Sequence, residues 1–101
     1  MTLAAPKTIY EDDLTVDTTA GGKTLSQLGV SANVLNQADI LHLTTSAAIY
    51  YTYGGATPTT TLGHIVVANG ELLLRGRDNI KALKIISAAG SATLFATISK
   101  I

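Results

Sequence analysis

Roughly the last forty residues of the chain strongly limit its fold, because they predict two β-hairpins in succession. The first comprises residues 64–75 and turns at Asn69-Gly70, a dipeptide that favours a two-residue type I′ turn. The second comprises residues 81–98 and turns at residues 88–91. Almost nothing in either hairpin is chemically reactive. This region therefore predicts an all-β protein with a structural role.

The Asn69-Gly70 turn also predicts which side chains of the first hairpin share a face. The face expected to enter the core consists of Ile65, Val67, Leu72 and Leu74. The opposite face, with Val66 and Leu73 at its centre and Arg75 at its rim, is expected to contact another subunit. A longer turn would shift the register and exchange the two faces.

The second hairpin predicts a further set of core residues in the same way. Its apolar face consists of Leu83, Ile85, Leu94, Ala96 and Ile98. Its outer face carries Lys84 and Phe95, and the Lys84 stem is expected to cover the Phe95 ring.

The rest of the chain adds short strands, with little helix. Strands are predicted at residues 14–16, 39–44 and 47–53, and one helical turn is predicted around Leu25 and Leu28, where Gly29 ends it. Residues 31–37 are expected to form a loop. Residues 54–62, which include Pro58 and several threonines, are expected to form the longest loop and an exposed tip.

These elements predict one domain behind an N-terminal arm. About six to eight short strands at regular spacing favour a small antiparallel β-sandwich, jelly-roll-like, with at most one short helical turn. Residues 1–13, with Pro6, Tyr10 and the acidic run Glu11-Asp12-Asp13, are interpreted as an extended arm, and a frayed terminus is the alternative. Residues 14–101 would form the sandwich.

The charge content favours association and argues against several partners. Only 14% of the 101 residues are charged, compared with roughly 25% in a typical soluble domain, and the net charge is zero. A surface with so little charge is expected to be partly covered by another subunit. Seven basic and seven acidic residues provide no basic field for nucleic acid. The absence of cysteine excludes disulfides, and no stretch of sequence predicts a membrane span or a signal peptide.

Three motifs are similar to parts of reactive sites, and each has a simpler interpretation. Gly22-Lys23-Thr24 is similar to the end of a phosphate-binding loop, but Asp17 stands where that loop needs glycine. His42 and His64 could ligate a metal only together with a carboxylate, and Asp39, on the His42 strand, is expected on its opposite face. The acidic run at residues 11–13 is more typical of a solvated surface than of a catalytic pair. We therefore predict no catalytic residue, no metal and no cofactor, and a protein that is not an enzyme.

The tyrosines at residues 50–53 form the strongest binding feature. Tyr51 and Tyr53 share one strand face, and Tyr53 adjoins Gly54-Gly55. Tyrosines beside a loop can stack on a sugar or fill a pocket of a protein partner, or they can belong to the edge of the core. For Tyr53 these interpretations stay open.

Residues 39–101 resemble small virion proteins of tailed bacteriophages. The resemblance rests on Ile49-Tyr50-Tyr51, the glycine- and threonine-rich loop at residues 54–62, the run from Ile65 to Leu74 and the closing segment at residues 82–101. It implies a β-sandwich that decorates or cements a capsid as an oligomer, with a trimer favoured. The expected partners are the major capsid protein or other virion proteins, and the expected location is the virion, assembled in the host cytoplasm.

Two alternative functions and a set of contact residues complete the prediction. The alternatives are another phage component (neck, tail or fibre base) and a carbohydrate-binding module. The N-terminal arm could strap onto a neighbouring subunit, which is inferred separately from the resemblance. The candidate interface residues are Leu3, Pro6, Tyr10, Tyr53, Pro58, Val66, Leu73, Arg75 and Arg77.

Overall fold

The computed structural model describes residues 6–101, in which eight strands form two four-stranded antiparallel sheets. Along the chain the elements are β1 Lys7–Val16, β2 Lys23–Thr24, α1 Ala32–Leu35, β3 Ile40–Thr45, β4 Ile49–Thr52, β5 His64–Val66, β6 Glu71–Arg75, α2 Arg77–Ala82, β7 Lys84–Ser87 and β8 Ala92–Lys100. Sheet 1 has the order β1-β8-β3-β6, and sheet 2 has the order β2-β7-β4-β5. The predicted small antiparallel β-sandwich is confirmed.

The strand pairing is that of a jelly roll. The first strand pairs with the last, the second with the seventh, the third with the sixth and the fourth with the fifth. Two further pairings, β3 with β8 and β4 with β7, complete the sheets. The chain thus forms one long antiparallel ribbon that is rolled into two layers. Among the described strands, β4 and β5 are the only paired strands that follow each other directly in sequence.

Both predicted C-terminal hairpins are therefore wrong. β5 lies in sheet 2 and β6 in sheet 1, so the segment between them crosses from one sheet to the other. The Gly70 N–H donates to the Val67 carbonyl at 2.8 Å and Asn69 has a φ of 65°, so the central residues of the turn are Ala68 and Asn69. The turn occurs one residue earlier than predicted and redirects the chain between layers.

The altered pairing corrects the predicted faces. Ile65 and Val67 are 54% and 61% exposed, whereas Val66 is buried, which reverses the prediction for that strand. For the other strand the prediction is correct, because Leu72 and Leu74 are buried and Leu73 is exposed. The second predicted hairpin is divided in the same way, because β7 lies in sheet 2 and β8 in sheet 1. Lys84 and Phe95 are therefore on different sheets, and the lysine stem does not cover that ring.

The core lies between the inner faces of the two sheets. Alternate residues of β3 and β8 are buried, as expected for strands with one face inward. The five residues predicted from the second hairpin are all buried: Leu83, Ile85, Leu94, Ala96 and Ile98. Their burial follows from the alternation of side chains along each strand. This alternation does not depend on which strand lies beside it, so the burial was predicted correctly although the pairing was not.

Two short helices occur where none was expected. α1 lies in the predicted loop at residues 31–37 and begins at Ser31, whose hydroxyl accepts a hydrogen bond from the Val34 N–H. α2 occupies residues predicted as a turn and the start of a strand, and it buries Ile80. Helices of four and six residues are too short to produce a helical hydrophobic period, which is why the sequence pattern does not reveal them.

The N-terminal segment differs from the expected free arm over its described part. β1 begins at Lys7 and pairs with β8 along its length. The register shifts between Thr8 and Tyr10, and the pairing then continues through residue 13 to Val16. The predicted boundary between arm and sandwich falls inside this strand. Backbone pairing with β8, which periodicity does not reveal for a polar segment, holds residues 7–13 to sheet 1.

Candidate functional site

Three aromatic rings meet at one end of sheet 2, and we call Tyr51, Tyr53 and His64 the aromatic cluster. Tyr51 in β4 lies opposite His64 in β5, so the strand register brings these two side chains to the same face. Tyr53 follows two residues after Tyr51 and returns to that face. Ile49 also shares it and is buried, which places the cluster at the edge of the core.

The rings are close, and Tyr53 is stacked with both other rings, whereas Tyr51 and His64 are tilted relative to each other. The ring centroids are 5.2 Å apart for Tyr51 and His64, 6.0 Å for Tyr53 and His64, and 6.3 Å for the two tyrosines. The interplanar angles are 36°, 23° and 19°, respectively. Separations in this range are typical of favourable aromatic contacts.

The two ends of the loop between β4 and β5 lie close to the strands that carry the cluster. Gly63 has a φ of 132°, and a Cβ at this position would lie 3.1 Å from the Tyr51 carbonyl oxygen, so the chain needs glycine to enter β5 there. At the other end of the loop, the Thr52 hydroxyl donates to the Ala56 carbonyl at 2.6 Å. The hydrogen bond holds the backbone that follows Tyr53, and the close approach at Gly63 restricts the backbone that precedes His64.

The Tyr51 hydroxyl is protonated at neutral pH, as in any tyrosine whose pKa is ordinary or raised. Burial raises the pKa of Tyr51, and the neighbouring Tyr53 adds to the increase. Tyr51 is therefore a hydrogen-bond donor, while Tyr53 is 37% exposed and can contact a ligand directly. The cluster can stack on a flat apolar surface and donate a hydrogen bond, and it contains no nucleophile paired with a base.

The second notable surface is the outer face of sheet 1, which carries large exposed hydrophobic residues. Phe95 in β8 is 45% exposed and Leu73 in β6 is 56% exposed. Between their strands, His42 Nε2 lies 2.8 Å from Glu71 Oε2, and on the other side of β8 the Thr97 hydroxyl donates to Glu11 at 3.2 Å. This face combines apolar patches with hydrogen-bonded polar pairs, as protein interfaces do.

A cleft of about 290 Å³ lies on the outer side of sheet 2. Residues 57–60 form one wall, Thr18, Ala20 and Gly21 form another, and Ile86 of β7 also lines it. Its lining contains hydroxyl and apolar groups but no ionisable side chain, so it offers no acid or base for catalysis.

The predicted interface residues lie in several different places. Leu3 lies outside the described residues, and Pro6 is exposed at their start. Tyr10 packs partly against the core, and burial, with a smaller contribution from Asp12, raises the pKa of Tyr10. Pro58, in the loop expected to form an exposed tip, is buried beside the cleft.

The other predicted contacts lie near β6. Val66 is buried in the core and cannot contact another subunit there, whereas Leu73 and Arg75 are exposed on sheet 1. The guanidinium of Arg77 lies 3.3 Å from a carboxylate oxygen of Asp39 in the same chain, and Asp39 also accepts a hydrogen bond from the Ile101 N–H. Arg77 is therefore engaged within the chain, whereas Arg75 lies exposed on sheet 1.

The motifs considered for reactivity have structural roles in the fold. The Gly22 N–H donates to the Thr19 carbonyl and Lys23 lies 3.7 Å from Asp17, so this segment is a turn with a weak ion pair. His42 and His64 lie in different sheets. Within residues 6–101 no group of three potential metal ligands comes together, and no helix there is long and apolar enough to cross a membrane.

Comparisons with protein families, with curated proteins and with solved structures find no match to this chain. The site must therefore be judged on its own geometry. Sequence reasoning identified Tyr51 and Tyr53 but missed the contribution of His64, because it assigned His64 to a hairpin with residues 71–75. The signal that could have corrected this is the register of β4 with β5 across a long loop, which needs knowledge of the sheet order.

Proposed function

We propose that this protein is a structural virion protein that decorates or cements a bacteriophage capsid through contacts between subunits. The observation that carries the proposal is the outer face of sheet 1, where Phe95 and Leu73 are exposed on a regular four-stranded surface. Burial of such side chains in a partner is favourable, and many weak contacts on one shell add up. Jelly rolls also occur in viral capsid domains, although a fold alone does not define a function.

Binding to undecorated capsids tests the proposal. Purified protein is mixed with capsids that lack decoration, and the bound fraction is measured after sedimentation of the particles. We expect saturable binding that Phe95→Asp weakens roughly tenfold or more, because the variant would bury a carboxylate without a partner. Ile65→Asp is the matched control, since Ile65 is at least as exposed as Phe95 but lies on sheet 2. Absence of binding by the unmodified protein would exclude the capsid role.

The position in the virion is a separate part of the proposal. A head protein would be present in hundreds of copies, whereas a neck, tail or fibre-base protein would be present in six to a few dozen, roughly as the symmetry of each assembly requires. Quantitative gel analysis of purified particles measures this number. The capsid protein and other virion proteins are the proposed partners.

A carbohydrate-binding module is the second candidate, and the aromatic cluster favours it. The exposed Tyr53 ring, beside the protonated Tyr51 hydroxyl, provides the stacking surface and the donor that sugar recognition requires. On a glycan array, Tyr53→Ala should abolish retention and leave capsid assembly intact. Tyr50→Ala is the control, because Tyr50 points to the opposite face of β4. If no glycan retains the unmodified protein, this candidate is excluded.

A further inference from the structure

The β6 strand forms an open edge of sheet 1. It is the last strand in the order β1-β8-β3-β6 and pairs only with β3 among the described residues. An edge strand of this kind has one row of backbone N–H and C=O groups without a strand partner, and these groups can pair with another chain.

The hydrogen bonds at both ends of β6 reveal which residues direct their backbone toward that edge. The Thr45 N–H donates to the Gly70 carbonyl at 3.2 Å, and the Gly76 N–H donates to the Asp39 carbonyl at 3.0 Å. Residues 70 and 76 therefore face β3. Since alternate residues of an antiparallel strand direct their backbone groups to the same side, Leu72 and Leu74 also face β3. Glu71, Leu73 and Arg75 consequently direct theirs to the open edge.

The same three residues have exposed side chains, and their order is self-complementary. The strand reads Glu-Leu-Leu-Leu-Arg, with Leu73 at its centre. When two such strands run antiparallel about a two-fold axis through Leu73, Glu71 lies opposite the partner's Arg75, and Arg75 lies opposite the partner's Glu71. The two copies of Leu73, each 56% exposed in the single chain, then face each other and bury part of their apolar surface.

We propose that the β6 edge binds a second copy of this chain and joins the two copies of sheet 1 into one continuous sheet. Residues directly opposite across the axis form hydrogen-bonded pairs, because the three residues that meet there all direct their backbone groups outward. Opposite charges at directly paired positions stabilise a sheet, and like charges destabilise it. The sequence of β6 therefore favours this register over those shifted along the strand. The inference concerns self-association and does not rest on the capsid role.

The opposite edge of sheet 1 lacks these properties. β1 presents Glu11, Asp12 and Asp13 in succession, and its pairing with β8 shifts between Thr8 and Tyr10. Two copies of β1 centred on the acidic run would bring carboxylates together, and irregular, charged edges are features that prevent pairing. The two edges of one sheet thus differ in their capacity to bind a copy.

One backbone acceptor at the β6 edge already has a side-chain donor. The Asn79 amide donates to the Arg75 carbonyl at 3.1 Å. A carbonyl oxygen has two lone pairs, so it can accept a second bond from the partner's strand. The carboxylate of Glu71 similarly keeps acceptor capacity beside its contact with His42.

Charge-reversal variants of Glu71 and Arg75 test the inference, because each should fail to pair with itself but should pair with the other. Glu71→Arg and Arg75→Glu each place like charges at both symmetry-related contacts, so each variant alone should dimerise roughly 10- to 100-fold more weakly than the original protein. A mixture of the two variants restores both opposite-charge pairs and should form a heterodimer. The double variant, Glu71→Arg with Arg75→Glu, should dimerise like the original protein. Sedimentation velocity over a range of concentrations measures all four samples.

Two further variants distinguish edge pairing from other kinds of association. Leu73→Pro removes an N–H that points to the open edge and breaks no bond to β3, so it should prevent dimerisation while thermal unfolding stays cooperative. Phe95→Asp changes the face of sheet 1 and not its edge, and should leave dimerisation unchanged. A protein that remains monomeric at high concentration, or that forms only trimers, would overturn the inference. So would a dimer that Phe95→Asp disrupts and the charge variants do not.

Discussion

The outer faces of the two sheets differ in how their hydrophobic residues are covered. On sheet 2, Ile86 is only 2% exposed, because the chain's own segments at residues 18–21 and 57–60 enclose that part of the face. On sheet 1, Phe95 is 45% exposed. The centre of sheet 2 around Ile86 is therefore packed within the chain, although Ile65 at its β5 edge is 54% exposed, whereas the interior strand β8 of sheet 1 leaves Phe95 open to another molecule. The difference indicates that loops stabilise the centre of sheet 2, whereas association can stabilise the centre of sheet 1.

The strongest test of this comparison truncates one large residue on each outer face. Ile86→Ala removes a buried side chain and should lower the free energy of unfolding by about 2–4 kcal/mol. Phe95→Ala removes a half-exposed ring and should lower it by only about 1 kcal/mol, because about half of the ring is already in water. Chemical denaturation of both variants at a concentration where the protein is monomeric measures the difference. Equal losses would show that the two faces are not distinguished by coverage.

The sequence predicts which residues of each strand are buried but not how the strands are arranged in the two sheets. Periodicity indicates which face of a strand is buried, and it contains no information on which strand lies beside it. The burial of Leu94, Ala96 and Ile98 follows from alternation alone. The position of β6 beside β3, and not beside β5, depends on contacts between residues far apart in the chain. A local turn signal at Asn69-Gly70 favoured the neighbouring strand, and the long-range pairing prevailed.

The candidate site shows the same limit. Tyr51 and Tyr53 share a face because they are two residues apart, which the sequence predicts. His64 joins them through the pairing of β4 with β5 across the loop, which the sequence does not predict. Pro58 lies in a segment whose composition predicts an exposed tip, yet it is buried because that loop folds back onto sheet 2.

A glycine substitution tests whether the two covering segments of sheet 2 fit closely. Gly22 has a φ of 70°, and a Cβ there would lie 3.0 Å from both the Ile85 carbonyl oxygen and Pro58 Cγ. Gly22→Ala should therefore combine backbone strain with a steric clash and cost about 2–3 kcal/mol. Gly90 has a similar φ of 63° but no neighbour within 4 Å of such a Cβ.

Gly90→Ala is accordingly the control that isolates the backbone contribution. It should cost about 1 kcal/mol, since only the unfavourable positive φ is involved. Thermal unfolding of both variants provides the comparison. If Gly22→Ala costs no more than Gly90→Ala, the segment around Pro58 is not held tightly against residue 22, and the coverage of sheet 2 is looser than its geometry indicates.

The smallest expected effect concerns the hydrogen bond that holds the start of the loop on sheet 2. The Thr52 hydroxyl is the donor to the Ala56 carbonyl, and Thr52 is 9% exposed. Thr52→Val keeps the shape of the side chain and removes the donor, so it should cost about 1 kcal/mol, because water can reach the exposed Ala56 and partly replace the bond. Thr44→Val on the outer face of sheet 1 is the control and should be nearly neutral. Hydrogen exchange should show faster exchange in residues 54–63 for Thr52→Val alone, and unchanged exchange there would mean that Pro58, and not this bond, anchors the loop beside the aromatic cluster.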